Sequence, residues 1–313
     1  MTMRLTRKQL LLARLETTYG VAPALDVNQA MLVHNLSFKG AGSSMLSRPR
    51  AYPDFQVSSM GVAPSPQSLS FDVEAAGSGA QGTQPLWGRF MRACGMGEFV
   101  PDDSSYVDYY PLSPPFPSSI SQKFNWDGTA HLLTGSRGNV TFSAEAGKEP
   151  LFSFAFTALY NAPTDTALLD VTDRLNDFLD PETVSDNQTA FALFGKQAPL
   201  SALTFDLNNT SSFRDKPNLA SVDITDRPQP NGKATVEASQ VADVDWFSLY
   251  KAKTLGALQF AHGRTKGNKI AIGSPYVQLG EPNYTNVNGV LHVELPLYFI
   301  RASNDRELRI RVY

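Results

Sequence analysis

Alternation of apolar and polar residues is the main pattern along this chain. In the segment 151–160, Phe152, Phe154 and Phe156 fall on one side of an extended backbone, and Ser153 and Thr157 fall on the other. A period of two is typical of a strand with one buried and one polar face. The same alternation predicts strands at residues 70–75, 234–238 and 291–295. Because each strand has a polar face, we expect antiparallel, half-solvated sheets and a mainly β fold.

Three segments instead show the helical spacing of apolar residues. The first runs from Pro85, a favoured first-turn residue, to Cys94 and stops at Gly95. The second begins at Thr164 or Asp165, ends before Pro181, and has an apolar stripe of Leu168, Val171, Leu175, Phe178 and Leu179. The third spans residues 243–253. Each half of the chain is therefore expected to carry one helix beside its strands, with a helical linker between the halves.

The two halves of the sequence resemble each other, which predicts an internal duplication. Leu36-Ser37-Phe38 matches Leu203-Thr204-Phe205, and Val73-Glu74-Ala75 matches Val236-Glu237-Ala238. In both halves a tryptophan-bearing helix follows, then a glycine-rich basic turn, at residues 135–139 and 263–268. After these turns, the alternation of inward and outward residues in one half is out of phase with that in the other half. A one-residue gap would restore the match, and chance similarity would also explain it. The predicted organisation is an N-terminal arm at 1–33, a first domain at 34–163, a helical linker at 164–199 and a second domain at 200–313.

Composition narrows the class of protein. Of 313 residues, 42% are hydrophobic and only 18% are charged, which predicts that neighbouring molecules cover much of the surface. The net charge of −3 argues against a protein that holds nucleic acid by counterion release. The single cysteine, Cys94, rules out an internal disulfide framework. Since no apolar run approaches 20 residues and no signal peptide is evident, we expect a protein made in the cytoplasm, without a membrane partner.

Catalytic and metal-binding motifs are not evident in the sequence. The four histidines, His34, His131, His262 and His292, stand outside any His-Glu-x-x-His or nucleophile-elbow pattern. The segment 263–269 has the glycines and lysine of a phosphate-binding loop but not its Gly-Lys-Ser/Thr ending, so a hairpin turn is the better interpretation. The histidines are expected on the surface or in strands. We expect no enzyme activity, cofactor or metal.

Basic and aromatic residues cluster in two predicted loops. The first cluster is Arg48, Arg50 and Tyr52, and the second is Arg214, Asp215 and Lys216. Their mixed signs favour contacts with proteins over contacts with phosphate. The first cluster lies in the segment 40–68, which is long, poor in regular patterning and rich in Ser, Pro and Gly. A loop of that length needs a reason, and contact with a neighbouring subunit would supply one.

Three blocks of the sequence resemble the major tail (tail tube) proteins of long, non-contractile-tailed bacteriophages. They are RKQLLLARLETTYG at residues 7–20, DG with LTGSRGNVT at residues 127–141, and GNKI at residues 267–270. The resemblance implies tube-type β-sandwich domains, each with a flanking helix, six of which form a ring that stacks into a genome conduit. With two such domains in one chain, three chains would complete a ring. The second half matches more weakly, which leaves a ring of six chains open.

This resemblance implies a structural virion protein located in the tail. Its partners would be further copies of itself together with tail terminator, tape-measure and distal tail proteins, and DNA would pass through the bore without specific binding. The candidates to line the bore are polar residues on the non-core strand faces: Glu74, Glu237, Ser153, Thr157, His292 and Glu294. The two basic clusters are the candidates for ring-to-ring stacking. Two alternatives stay open: a tube of a contractile or secretion machine, and a carbohydrate-binding or carbohydrate-cleaving β-sandwich of a tail tip.

Overall fold

A computed structural model describes residues 3–40, 42–55, 58–301 and 306–313. The fold is mainly β, with 49% of residues in strands and 6% in three short helices. The strands predicted at 70–75, 151–160, 234–238 and 291–295 are all present. The first two alternate between buried and more exposed residues as expected, but Thr235 is buried in the third. In the fourth, Leu291 was expected in the core and is 55% exposed, because it lies beside the turn that leads into this strand. The expectation of a β-sandwich-type protein with antiparallel sheets is therefore confirmed.

The described residues of the first half form twelve strands and one helix. They are β1 (Gln9–Leu15), β2 (Ala30–Met31), β3 (His34–Lys39), β4 (Ser43–Leu46), β5 (Gly61–Pro64), β6 (Gln67–Glu74), α1 (Gly88–Ala93), β7 (Met96–Phe99), β8 (Val107–Pro111), β9 (Ile120–Trp126), β10 (Thr129–Glu145), β11 (Leu151–Leu159) and β12 (Thr164–Asp165). A 3₁₀ turn at Val27–Gln29 precedes β2 and is capped by the Asp26 side chain.

In the second half, the part of the chain that the structure describes contains two helices and eleven strands. They are α2 (Thr172–Leu175), β13 (Thr189–Leu193), β14 (Lys196–Gln197), β15 (Leu200–Asp206), β16 (Thr210–Lys216), β17 (Leu219–Asp226), β18 (Asn231–Glu237), α3 (Trp246–Lys251), β19 (Leu255–His262), β20 (Ile270–Leu279), β21 (Asn283–Val287), β22 (Val290–Phe299) and β23 (Arg309–Val312).

Eight strands, called the main sheet below, run side by side across both halves. Their order is β3-β6-β11-β10-β15-β18-β22-β21, and every neighbouring pair is antiparallel. The halves meet where β10 pairs with β15, in a contact called the central seam. There Thr141 lies opposite Asp206, and Phe142 lies opposite Phe205. The main sheet is thus continuous from the β3 edge to the β21 edge.

The strand β10 is long because it belongs to two layers. Its first part pairs with β9, and its last part pairs with β11 and with β15. The register shifts near Gly135, which has a φ of +60°, so the strand bends there from one layer to the other. The turn predicted at 135–139 is therefore wrong, because this glycine makes a bulge inside a strand. The turn that precedes β10 is at Asp127-Gly128 instead.

A second layer lies behind the main sheet in each half. In the first half it consists of β9, β1 and β2, and in the second half of β19, β13 and β14. The order β1-β9-β10-β11-β6-β3 in the first half thus has the same form as β13-β19-β20-β22-β18-β15 in the second. The last strand, β23, joins β20 of the second half to β8 of the first.

The core is one contiguous cluster between the layers that spans both halves. In the first half it centres on rings from β6, α1 and β11, with Phe90 in contact with Phe71, Phe154 and Phe156. At the central seam, Phe142 stacks against Phe205 at a centroid distance of 5.3 Å and meets Phe260 at 5.7 Å. These rings continue the core from one half into the other.

Two of the three predicted helices lie where expected, and one is much shorter. Cys94 is buried directly after α1, and the Asp245 side chain caps α3. The helix predicted from Thr164 or Asp165 reduces to α2, because Thr164 and Asp165 pair with β10 as a short strand. Asp170 then accepts a hydrogen bond from the Thr172 backbone, which starts the helix eight residues later than Thr164.

The segments predicted as an arm and as a helical linker both contain strands. Within 1–33, β1 pairs along its whole length with β9, and Leu11 and Ala13 belong to the core. Within 164–199, β13 pairs with β19. Leu168 and Val171 cover a small second cluster formed by Leu10, Leu12 and Ala30. Both segments are therefore part of the folded body where the structure describes them.

Candidate assembly surfaces

The main sheet has a polar face that crosses both halves of the chain. Directly opposed residues of antiparallel strands share a face, so the register defines its members. Ser153 lies opposite Asp72, Glu237 lies opposite His292, and Thr235 lies opposite Glu294. The six predicted bore-lining residues, Glu74, Glu237, Ser153, Thr157, His292 and Glu294, all have the register of this face.

The predicted bore-lining residues differ in their surroundings. Glu237 is exposed, Glu74 lies 3.1 Å from the His34 imidazole, and Glu294 accepts a hydrogen bond from Lys233 at 3.2 Å. His292 was expected to turn towards solvent, but its side chain is only 3% exposed and Nδ1 lies 3.0 Å from the Val290 carbonyl. Its imidazole is therefore largely withdrawn from the polar face.

Acidic groups predominate on the polar face. Apart from Arg137 and the withdrawn His292, its acidic and basic side chains are six carboxylates, two amines and one imidazole. They are Asp72, Glu74, Glu145, Asp206, Glu237, Glu294, Lys39, Lys233 and His34. Arg137 lies further along β10, where Asp223 of β17 pairs with it. Most of the other positions are Ser, Thr and Asn, so the face offers hydrogen-bonding groups and a negative potential.

The hairpin β16–β17 folds back onto the first half of its own chain and is called the docked hairpin. Val222 is fully buried there, and the Tyr19 hydroxyl accepts a hydrogen bond from its backbone N–H. Asp223 pairs with Arg137 of β10 and with Arg214 of its own hairpin. Partial burial raises the pKa of Asp223, but hydrogen bonds from Ser221 and Arg214 and the charge of Arg137 outweigh it, so the net pKa is below its usual value.

Arg227 fastens the end of the docked hairpin to the first half. Its guanidinium donates to the backbone carbonyls of Leu112 and Gly95 at 3.0 and 3.2 Å, and to Asn209 Oδ1 at 2.7 Å. The side chain also lies over the Phe116 ring. Burial lowers its pKa, yet arginine stays charged at any ordinary pH. This one side chain therefore satisfies backbone acceptors at the end of α1.

The hairpin β4–β5 occupies the corresponding place after β3 but makes no comparable contact among the described residues; it is called the exposed hairpin. Met45 is 78% exposed and Val62 is 72% exposed. The predicted stacking residues Arg48, Arg50 and Tyr52 lie in its connecting loop and are exposed. The second predicted set, Arg214, Asp215 and Lys216, lies exposed at the tip of the docked hairpin. The structure thus separates the two clusters onto two hairpins.

The groups that could support catalysis or bind a metal are already engaged in the fold. All four histidines lie in strands, and no three His, Cys, Asp or Glu side chains of the described residues come together as metal ligands. Buried His262 lies between the Thr189 hydroxyl at 2.9 Å and the Glu182 carbonyl at 2.7 Å, and burial lowers its pKa. A cleft of about 400 Å³ beside Trp87 contains two polar pairs, His34–Glu74 and Arg174–Asp177. No described helix could span a membrane.

Comparison with known families identifies the kind of protein that carries these surfaces. Residues 6–296 match the family model for phage tail tube proteins. The chain belongs to this family. The match extends from before β1 into β22, so it includes the whole polar face up to that strand. No curated protein matches the sequence. This tail tube protein is a structural component of a phage tail, and its family is not a class of enzymes.

Sequence reasoning found the strands of the polar face but missed the contacts that organise the surfaces. Tyr19, Asp223 and Arg227 join parts of the chain far apart in sequence. Their residue types give no local signal, because tyrosine, aspartate and arginine are ordinary surface residues. The difference between the docked and the exposed hairpin was also missed. An available signal was the presence of Met60 and Val62 in a segment otherwise rich in Ser, Pro and Gly.

Proposed function

We propose that this tail tube protein assembles into rings of three chains, and that the rings stack into the conduit through which the phage genome passes. The polar face carries the proposal. It is continuous over eight strands, is mainly acidic and hydroxylic, and lies opposite the apolar core. Placed towards the bore, it would repel DNA phosphates weakly, because carboxylates outnumber its cations and two of these, Lys233 and Arg137, are paired with Glu294 and Asp223. DNA would slide past Glu74, Ser153, Thr157, Glu237 and Glu294 without being held.

Two repeats per chain account for a ring of three. We take the matching strand orders of the two halves as the duplicated tube domains expected at 34–163 and 200–313. Their boundaries extend upstream to include β1 and β13, from the arm at 1–33 and the linker at 164–199. A ring of three chains then has six repeats, related pairwise within each chain and by rotation between chains. Such a heterologous arrangement ends only because the rotation closes.

The size of the bore favours three chains over six. Each chain contributes eight strands to the main sheet, so three chains give 24. At a spacing of about 4.8 Å, 24 strands have a circumference of about 115 Å and a diameter of about 37 Å before strand tilt widens it. This diameter admits a DNA duplex once side chains line the wall. Six chains would double the circumference and leave a bore much wider than a duplex needs.

The two hairpin loops are the proposed contacts between stacked rings. Arg48, Arg50 and Tyr52 on the exposed hairpin and Arg214, Asp215 and Lys216 on the docked hairpin offer charges of both signs. Tail terminator and distal tail proteins would bind the two ends of the stack, and a tape-measure protein would occupy the bore before DNA. The subunit would be made in the bacterial cytoplasm and reside in the virion tail.

Negative-stain microscopy and light scattering of the purified protein test this proposal. We expect rings or tubes of one width, with a ring mass equal to three chains. A ring mass of six chains would contradict the stoichiometry but not the tube. A persistent monomer that binds sugar would favour the tail-tip alternative, and a sheath protein bound outside the tube would favour a contractile machine.

Removal of the exposed hairpin tests its role in assembly. The N–H of Ser65 donates to the carbonyl of Gly42 at 3.0 Å, so a two-glycine turn can replace residues 43–64 without straining the ends. The variant should keep the melting temperature of the wild type and fail to form tubes. The equivalent replacement in the docked hairpin should lower the melting temperature, because Val222 is buried. Normal tubes from the first variant would remove the exposed hairpin from the assembly contacts.

A further inference from the structure

The main sheet ends in two edge strands of one chain. Among the described strands, β3 pairs only with β6, and β21 pairs only with β22. Their remaining backbone donors and acceptors have no strand beside them, and most of their side chains are exposed. Unpaired edges of this kind are templates for another strand. At the central seam, the strands equivalent to β21 and β3 in the other repeat, β10 and β15, are paired with each other.

The strand β21 corresponds to the last part of β10. Each of these two strands pairs with the strand that follows it, and that partner pairs in turn with the strand before a helix. Thus β10 pairs with β11, and β11 pairs with β6, which precedes α1. Likewise β21 pairs with β22, and β22 pairs with β18, which precedes α3. Glu74 and Glu237 are equivalent in sequence, and they lie opposite Leu151 and His292. On its other side, Leu151 lies opposite Ser143 of β10, and His292 lies opposite Thr285 of β21. Thr285 therefore occupies the position of Ser143, and Tyr284 that of Phe142.

The strand β3 corresponds to β15 by the same reasoning. Phe38 lies opposite Leu69 of β6, and Phe205 lies opposite Gly232 of β18. Leu69 is five residues before Glu74, and Gly232 is five residues before Glu237. Phe38 is therefore equivalent to Phe205, and the neighbouring Ser37 is equivalent to Thr204. This agrees with the Leu-Ser-Phe and Leu-Thr-Phe similarity in the sequence.

We propose that β21 of one chain pairs antiparallel with β3 of the next, in the register of the central seam. In that seam Thr204 lies opposite Ser143, and Phe205 lies opposite Phe142. The register between chains thus places Ser37 opposite Thr285 and Phe38 opposite Tyr284. This contact rests on the proposed assembly into rings and names the strands that close them.

The aromatic residues at the two edges fit this register. Phe142 is 1% exposed and stacks on Phe205, whereas its equivalent Tyr284 is 59% exposed. Pairing in the proposed register would bring Tyr284 onto Phe38, whose ring already lies 5.9 Å from Phe124. The neighbouring chain would thereby complete an aromatic cluster like the one at the central seam.

The exposed hairpin supplies a second, separate observation. The docked hairpin follows β15 and covers β10 and β11 across the central seam, burying Val222. The exposed hairpin follows β3, so the proposed pairing would place it over β20 and β22 of the next chain. There Tyr298, which is equivalent in register to Thr157, is exposed. One strand pairing thus accounts for both the apolar hairpin and the exposed tyrosine.

Disulfide cross-linking in the full chain tests the register. Directly opposed residues of antiparallel strands have Cα atoms about 4.5–5.5 Å apart, within the range of a disulfide. The variant Ser37→Cys/Thr285→Cys should give covalent dimers and trimers on a non-reducing gel, with no larger species, and reductant should restore the monomer. The native Cys94 is buried and takes no part. The two edges lie seven strand spacings apart in one chain, so a bond between them must join two chains.

A shifted pair and a charge variant serve as controls. Asn286 is one residue beyond Thr285 and points to the other face of its strand, so Ser37→Cys/Asn286→Cys should not cross-link. The variant Tyr284→Asp loses the ring contact with Phe247 at 5.4 Å, so it should melt slightly below the wild type, and it should form no rings. The control Val241→Asp, at another exposed site, should form rings.

The outcomes separate this contact from the function on which it rests. Wild-type rings together with selective cross-linking of Ser37→Cys/Thr285→Cys support the register. Wild-type rings without that cross-link, or with equal cross-linking of the shifted pair, overturn the register and leave the tube standing. A wild-type chain that stays monomeric in the microscope overturns both.

Discussion

Replacement of Phe142 by alanine tests whether the two halves share one core. The ring is 1% exposed and contacts Phe152 of its own half together with Phe205 and Phe260 of the other half. A buried Phe→Ala change costs about 3–5 kcal/mol from lost burial and the cavity it leaves. Each aromatic pair adds about 0.5–1.5 kcal/mol beyond its area. We therefore expect a loss near the upper end of that range, about 4–5 kcal/mol.

Urea unfolding of the monomer measures this loss. Trp87 lies in the first half and Trp246 in the second, so their fluorescence reports both halves, and circular dichroism reports the sheets. Phe142→Ala should shift a single transition detected by both probes. The matched control is Phe99→Ala, at a half-exposed ring, which should cost less than about 1 kcal/mol.

Two results would refute the reasoning about the shared core. A loss below about 1.5 kcal/mol would show that Phe142 is not tightly enclosed. Two separate transitions, of which only the first-half one responds to Phe142→Ala, would show that the halves unfold independently. The observed continuity of the core from Phe142 to Phe205 argues for the single transition.

Three further predictions concern the docked hairpin and the polar face. Arg227→Met should lower the free energy of unfolding by about 3–5 kcal/mol, because two backbone carbonyls and one amide oxygen lose their donor. The control Arg264→Met, at an exposed site, should change this free energy by less than about 0.5 kcal/mol, and urea titration measures both variants. The pKa of Asp223 is lower in the folded protein, so its stabilisation is present above the unfolded value of about 3.9 and is lost as pH falls through the folded value. The stability difference between wild type and Asp223→Asn should therefore shrink between pH 5 and pH 3, and a constant difference would exclude this role. Glu237→Lys, at an exposed position of the polar face, should leave tubes intact but slow DNA ejection from phage particles, and an unchanged ejection rate would argue against this face lining the bore.

Much of the fold could be predicted because its strands follow a simple alternation. Phe152, Phe154 and Phe156 define a core face without help from other residues, and the Leu-Ser-Phe similarity marks equivalent strands. The glycines at 135 and 138 misled the prediction, because glycine favours turns and bulges alike and only the partner strands distinguish the two. The helix at 164–179 failed because pairing of Thr164 with β10 competed with its first turn.

The candidate surfaces could be predicted only in part. Strand parity identified the residues of the polar face, including Glu237 and Glu294, because parity is a local property. It could not show that His292 is buried, since burial depends on the strands around it. The pairing of β10 with β15, and the unpaired edges that remain, arise from contacts distant in sequence. No local pattern of residues determines which edge stays open.

The central seam also affects the kinetics of assembly. Because β10 and β15 belong to one polypeptide, their pairing has the same probability at any dilution, like a binding event between tethered partners. In a ring of three there would be six joints between repeats, and each monomer would already contain one, so half of the joints would exist before assembly. The rate of ring formation would then depend on the third power of the subunit concentration, whereas a ring of six single repeats would depend on the sixth power. Nucleation would accordingly depend far less steeply on subunit supply than in a tube built from single repeats.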